Sequence, residues 1–183
     1  MAFTIRPYEP DEADALYSLK RGFELGLGSG TGEADKQERY ENKLTEEYRR
    51  EYLAWVDRCT DENPRSVIVA ARERTEERSA EERNTIERDD AADPELIGYA
   101  FVLPASLAYI WDAAVLNEIY VLPEWRGSGV ADELMREAIE TAREQPLPLD
   151  RMVLDVDRDN ERAGAFYDRY GFEHWGEMIA REL

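Results

Sequence analysis

The sequence predicts a mixed α/β fold in one domain spanning residues 1–183. The expected architecture is a central, mostly antiparallel sheet of six or seven strands, flanked by about four helices. Three observations lead there. At 183 residues the chain is long enough for one domain with a full core. Short β-type runs alternate with helical patterns along its length. One stretch, Leu116 to Ala142, reads as strand, glycine turn and helix in direct succession.

That stretch organises the rest. Leu116, Ile119, Tyr120, Val121 and Leu122 are strand formers, and Pro123 ends the strand. Gly127 and Gly129 permit a tight turn and close approach of backbone to a ligand. Val130, Leu134, Ala138 and Ala142 then recur every four residues, which is one face of an amphipathic helix. A glycine turn opening a helix gathers free backbone N–H groups at a positive dipole end. Such a site suits a phosphate or pyrophosphate. The spacing fits neither Gly-x-x-x-x-Gly-Lys-Ser/Thr nor Gly-x-Gly-x-x-Gly.

Before that stretch, Phe3 to Tyr8 reads as an opening strand and Pro10-Asp11-Glu12 as a helix start. Ala15, Leu16, Leu19 and Phe23 form that helix's apolar face. Four glycines from Gly26 to Gly32 are expected to break it as a mobile connection. Asp35 to Arg58 is one long charged helix or two, with an aromatic stripe of Tyr40, Tyr48, Tyr52 and Trp55. The stripe reads as core packing, part of which could line a pocket. Cys59 reads as a small buried residue. Ser66 to Ala71 and Leu96 to Leu103 are buried strands, expected to pair as a hairpin around a charged insertion at about 72–95. Tyr109 and Trp111, in the next loop, are possible pocket walls.

After the glycine helix, Met152 to Val156 reads as a strand. Asp157 to Asn160 caps a helix carrying Ala163, Phe166, Tyr167 and Tyr170. Gly171 stops it, and Phe172 to Leu183 reads as a final strand.

Composition narrows the function. There is no apolar run long enough for a membrane span, and the first residues lack a signal-peptide pattern. With one cysteine, no internal disulfide can form. These features fit a cytoplasmic protein. His174 is the only histidine, so zinc sites built from His and Cys are excluded. No basic stripe invites nucleic acid. The net charge is -19, and only Lys20, Lys36 and Lys43 among the 23 basic residues are lysines. An acidic, lysine-poor surface is typical of a very salty cytoplasm, where screening relieves self-repulsion.

Two motifs carry a family resemblance. Arg126, Gly129 and Ala131 form an Arg-x-x-Gly-x-Gly/Ala segment. Asn160-x-x-Ala163-x-x-Phe166-Tyr167-x-x-Tyr170-Gly171-Phe172 follows in order. Both resemble the GCN5-related N-acetyltransferases (GNAT), over about a third of the chain. The resemblance implies the acyl-CoA N-acyltransferase fold and acetyl-CoA as acetyl donor, with no metal. It implies that Arg126, Gly127, Ser128, Gly129, Val130 and Ala131 hold the pyrophosphate. The strand residues Ile119, Tyr120 and Val121 would pair with the pantetheine arm. Asn160 would hydrogen-bond that arm, or else cap the helix. Tyr167 falls where relatives place a tyrosine near the sulfur, and would act as general acid; as a packed aromatic it would have no such role.

A primary amine attacking the thioester directly must first lose a proton. Alternation along the strand would put Glu118 on a face with Leu116, Tyr120 and Leu122. Glu118 could then be a base acting through water, a contact for a cationic substrate, or a solvent-facing residue. The acceptor is a small-molecule or peptide amine, and the protein a monomer or homodimer. A non-catalytic acyl-CoA sensor and an interaction protein are the alternatives.

The charge pattern makes one prediction. Chemical denaturation should show lower stability at about 0.1 M KCl than at about 2 M KCl, because the Debye length shrinks from about 10 Å towards 3 Å. Equal stability at both would remove the salt argument.

Overall fold

The computed structural model describes residues 2–29, 34–72, 95–176, 178 and 181. Strand β1 is Phe3–Pro7. A 3-10 turn at Pro10–Glu12 leads into α1, Ala13–Ser29. The expected long helix is two helices, α2 (Ala34–Asn42) and α3 (Glu46–Glu62). Thr45 separates them: its side chain accepts from the Tyr48 N–H and caps α3. Then come β2 (Val67–Arg72), β3 (Leu96–Val102), a one-turn helix α4 (Ala105–Ala108) and β4 (Ala114–Val121). Helix α5 is Val130–Arg143, β5 is Met152–Val153 and α6 is Glu161–Asp168.

The sheet order is β1-β2-β3-β4-β5. The first three pairings are antiparallel and β4–β5 is parallel. The mixed, mostly antiparallel sheet is therefore as predicted, with five strands among the described residues. The hairpin of β2 and β3 forms as expected, and residues 73–94 of the charged insertion lie outside the described residues. Helix α1 runs on through Gly26, where a break was expected, and residues 30–33 lie outside the described ones. The expected last strand is absent over residues 172–176, whose side chains after Phe172 are exposed and give a strand no face to bury.

Both faces of the sheet are covered. On one, α1 and α3 bring Leu16, Leu19, Tyr52 and Val56 against Val67, Val69, Tyr99 and Phe101. On the other, α5 brings Val130, Leu134, Met135 and Ala138 against Ile68, Ala70, Ile97 and Ala100. Val67 to Ala71 and Leu96 to Val102 are consequently buried without alternation. Alternate residues of each strand serve opposite cores, so continuous apolar runs are required.

Strand β4 departs from simple alternation. Phe101 pairs with Glu118 and its neighbour Val102 pairs with Leu116, so Asn117 is the extra residue of a β-bulge. The bulge puts Leu116 in the α5-side core and Glu118 among the α1 and α3 side chains. The face shared by Glu118 and Leu116, expected from strict alternation, does not exist. Tyr120 does lie with Glu118 on the α1 side, where its hydroxyl end leaves no room for a Cβ at Gly22, 2.5 Å away.

Candidate active site

The glycine turn closes β4 onto α5. A 3-10 turn at Pro123–Trp125 anchors it through the buried Trp125 ring. The Ser128 hydroxyl donates to the Trp125 carbonyl at 2.6 Å. Arg126 is exposed; its Nε donates to the Val121 carbonyl at 3.3 Å and its guanidinium lies 5.9 Å from the Tyr120 ring centre. Gly129 is the N-cap of α5 at φ +91°, a conformation that side chains resist. No side chain caps the helix, and a Cβ at Gly129 would meet nothing within 4 Å. The first N–H groups of α5 thus point from an open, electropositive end. Val130 itself is fully buried beneath the turn.

The strand before the turn has a free side. Only Ala114 and Val115 of β4 pair with β5. From Leu116 to Val121 no described strand completes that edge, while the opposite edge is bonded to β3. Ile119, Tyr120 and Val121 therefore lie on a stretch that can accept an extended partner in place of a strand.

Helix α6 packs on the α5-side core. The side-chain Oδ1 of Asn160 accepts from the Ala163 N–H at 3.1 Å, so Asn160 is the N-cap. Tyr167 packs against Phe166 and Phe172 at 5.5 and 5.7 Å between ring centres. Its hydroxyl makes no hydrogen bond among the described residues. Burial pushes its pKa up to about 12, so at neutral pH the phenol keeps a proton to donate. Tyr170 instead donates to Asp132 Oδ1 at 2.7 Å and tethers α6 to α5.

On the α1 side sits a cluster in which Glu118 is 4% exposed. Lys20 Nζ and Asn117 Nδ2 donate to its Oε1 at 2.6 and 3.0 Å. The Tyr99 and Tyr52 hydroxyls donate to its Oε2 at 2.6 and 3.0 Å. Four donors fill the acceptor capacity of one carboxylate. Lys20 also lies 2.6 Å from Glu24 Oε1, which Tyr48 reaches at 3.1 Å. Lys43 lies 2.6 Å from Glu24 Oε2. Burial works to lower the pKa of Lys20, but the Glu118 charge and the bonds to Glu118 and Glu24 outweigh it and hold it above the ordinary lysine value. Burial works to raise that of Glu24, and the bonds to Lys20 and Lys43 bring it below the ordinary value.

The chain matches the acetyltransferase (GNAT) family over residues 33–172, well over half its length. It belongs to the GNAT family. The GNAT segment is 38% identical over 68 residues to a 5-NmdU N-acetyltransferase of Pseudomonas phage PaMx11, covering 37% of this chain and 45% of that protein. It is 37% identical over 71 residues to a mycothiol acetyltransferase of Nocardiopsis dassonvillei, covering 37% of this chain and 21% of that protein. The match thus spans less than half the length of either relative. In structure, the GNAT chain is similar to a PaiA N-acetyltransferase from Thermoplasma acidophilum solved with coenzyme A. The TM-score is 0.65 at 20% identity, over 94% of this chain and 91% of that one. An aminoglycoside 6'-N-acetyltransferase from Acinetobacter haemolyticus gives a TM-score of 0.58 at 17% identity, over 98% and 97% of the two chains. These two likenesses establish the acyl-CoA N-acyltransferase fold.

In this GNAT chain the glycine turn directly follows the free β4 edge, and α6 packs on the same α5-side core. Glu118 is separate from the open edge, pointing into the α1 face. Tyr109 and Trp111, the expected pocket walls, stand 56% and 42% exposed, with Trp111 against Trp175. Sequence reasoning missed Lys20, Glu24, Tyr99 and Lys43. A signal existed: Leu16, Lys20 and Glu24 are spaced i, i+4, i+8 on the buried stripe of α1, and a lysine there needs a partner. No cluster of three His, Cys, Asp or Glu able to hold a metal occurs among the described residues.

The tyrosines give this GNAT chain a pH signature. Burial pushes Tyr8, Tyr48, Tyr167 and Tyr170 up to about 12, and Tyr52 and Tyr99 well above their ordinary value. An unfolded tyrosine titrates near 10. Below about pH 10 both states hold these protons and the tyrosines add no pH dependence. Between about pH 10 and 12 only the unfolded chain releases them, so stability must fall with rising pH. Denaturation midpoints measured across this window should drop steeply; a level profile would contradict buried, protonated tyrosines.

Proposed function

We propose that the protein is an acetyl-CoA-dependent N-acetyltransferase that moves an acetyl group to the primary amine of a small molecule or peptide. The observation that carries this is the uncapped α5 N-terminus opening directly beside the unpaired edge of β4. A diphosphate and an extended amide-bearing arm need those two features side by side. Acetyl-CoA supplies an acetyl thioester whose carbonyl carbon is open to an amine nitrogen.

The chain's residues divide the work. Gly127, Gly129, Val130 and Ala131 offer backbone N–H groups to the pyrophosphate, with Arg126 beside them; Ser128 shapes the turn, its N–H donating to the Trp125 carbonyl at 3.3 Å. Ile119, Tyr120 and Val121 offer the edge for the pantetheine amides, with the free amide nitrogen of Asn160 nearby. As the N–C bond forms and the C–S bond breaks, the Tyr167 hydroxyl gives its proton to the leaving sulfur and recovers one from water. Glu118 is the proposed proton acceptor. Its oxygens are filled, so the amine's proton would reach it through the Tyr52 hydroxyl or a water rather than by direct contact.

That filled carboxylate favours one other reading, an acyl-CoA sensor that binds without turnover. Incubating the protein with acetyl-CoA and an amine panel separates the two. The acidic, lysine-poor composition supports a protein adapted to a salty cytoplasm, and the reading takes it as a monomer or homodimer acting without nucleic acid or membrane. Among the described residues no helix is long and apolar enough to cross a membrane.

Two substitutions test the reading. Gly129→Val forces a branched side chain onto φ +91° and fills the cradle. It should abolish the thermal stabilisation by acetyl-CoA, which for a ligand at 100 times its Kd is worth about 2.7 kcal/mol. A folded variant that binds acetyl-CoA like wild type would sink the binding site. Tyr167→Phe keeps the packing against Phe166 and Phe172 and removes only the hydroxyl. The expected result is a fall in kcat of about 10²-fold or more with acetyl-CoA affinity little changed. Normal turnover where chemistry limits the rate would make Tyr167 a packing residue.

A further inference from the structure

The buried ammonium of Lys20 has no part in the chemistry above. Its side chain is 5% exposed and touches both Glu118 and Glu24 at 2.6 Å. Two rings close it in: its Nζ lies 4.8 Å from the Tyr52 ring centre and 5.1 Å from that of Phe23. Carboxylates combined with aromatic faces at such distances form a cage for an alkylammonium group. A guanidinium is a planar fork and would not fit a position built for a compact charge.

The chain's use of lysine points the same way. Arginine supplies 20 of the 23 basic residues. Yet Lys20 and Lys43, the two lysines whose side chains are described, both sit on Glu24. Lys43 is likewise held over rings, at 4.6 Å from Tyr40 and 5.6 Å from Tyr48. The two carboxylates and two ammonium groups cancel. The α1 side of β4 therefore builds ammonium positions and fills them from its own chain, next to the bulge that opens the strand.

We propose that Lys20 is a specificity-determining residue. Its ammonium occupies the position where Glu118, Glu24, Tyr52 and Phe23 would otherwise hold a cationic group of the acceptor. The site is thereby closed to di- and polyamines and takes primary amines whose remainder is neutral. The proposal rests on the acetyltransferase reading for its substrate class, while the ammonium cage is testable without turnover.

Lys20→Ala keeps Cβ, removes three methylenes and the ammonium, and so leaves a space shaped for n-propylammonium. Thermal midpoints of wild type and variant are compared with millimolar n-propylammonium, n-propanol, spermidine and acetyl-CoA at fixed ionic strength. Both amines should raise the variant's midpoint by several degrees, n-propanol should not, and neither amine should raise that of wild type. Adding Glu118→Gln to the variant should remove the response. The ratio of kcat/KM for spermidine to that for n-propylamine should rise by about tenfold or more in Lys20→Ala. If the amines leave the variant's midpoint unchanged, or raise the wild type's equally, Lys20 is a structural ion pair and the proposal is wrong. Acetyl-CoA distinguishes the two failures. Amine rescue without any response to acetyl-CoA overturns the acetyltransferase reading and leaves the cage standing, and the reverse pattern overturns the cage alone. Should Lys20→Ala not fold, it is produced with n-propylammonium, and recovery of folded protein supports the cage. If it stays unfolded even then, wild type decides. Stabilisation by spermidine, or its acetylation, overturns the proposal, and the absence of both supports it.

Discussion

The ion pair of Lys20 with Glu118 is the constraint on which the α1 half of the molecule depends. Burying either charge alone would cost several kcal/mol, and the pair is tolerable because both oxygens of Glu118 are hydrogen-bonded and Glu24 balances the charge. The Glu118 carboxylate meets that condition with Lys20 from α1, Tyr52 from α3, Tyr99 from β3 and Asn117 from β4. Two helices and two strands are thus fixed in one relative arrangement by a single side chain. An apolar residue at 118 could match the burial but not the register, because dispersion contacts have no direction while these four bonds do.

The same strand must also come apart from its other neighbour. Strand β4 pairs with β5 at Ala114 and Val115 and then loses it. The bulge at Asn117 begins where that pairing ends, and an extra residue increases local twist and bends the strand. Bulge, buried carboxylate and open edge are consequently one local solution. Turning Glu118 into the α1 core restores β4's pairing with β3 beyond the bulge while leaving the far edge unpartnered.

Much of this was legible. The continuous apolar runs of β2 and β3 announced strands covered on both faces, and Gly127 and Gly129 marked the turn that both adopt with positive φ. The spacing Asn160 to Ala163 was legible as a helix start and is one. Glu118 was legible as unusual, and Tyr120 as sharing its side, but Leu116 was wrongly placed beside it. Its surroundings depend on a bulge, which one sequence does not reveal, since an added residue looks like any other position in the period-2 pattern. The donors that fill its carboxylate come from residues 20, 52 and 99 as well as its neighbour 117. Contacts at such separations follow from helix placement and not from local pattern. The shortness of β5 was illegible for the same reason: Leu154 to Val156 have strand-type alternation, and only the path of β4 withholds a partner.

The placement of cations completes the argument. Arginines carry the surface: Arg65 reaches Glu137 and Glu144, Arg136 reaches Glu133, and Arg169 reaches Asp132. Exposed pairs of this kind contribute little each, about 0–1 kcal/mol, and less as salt rises. Lys20 belongs to a different regime. It lies beyond the reach of solvent ions, so its attraction to Glu118 and Glu24 is not screened as the surface pairs are. Salt can screen repulsion at the surface of a chain with net charge -19, but it cannot help two carboxylates inside the core. Those need a charge of their own, compact enough to touch both at 2.6 Å. A lysine at that one position of α1 meets the need, which is why so lysine-poor a chain still retains one where no solvent ion can substitute for it.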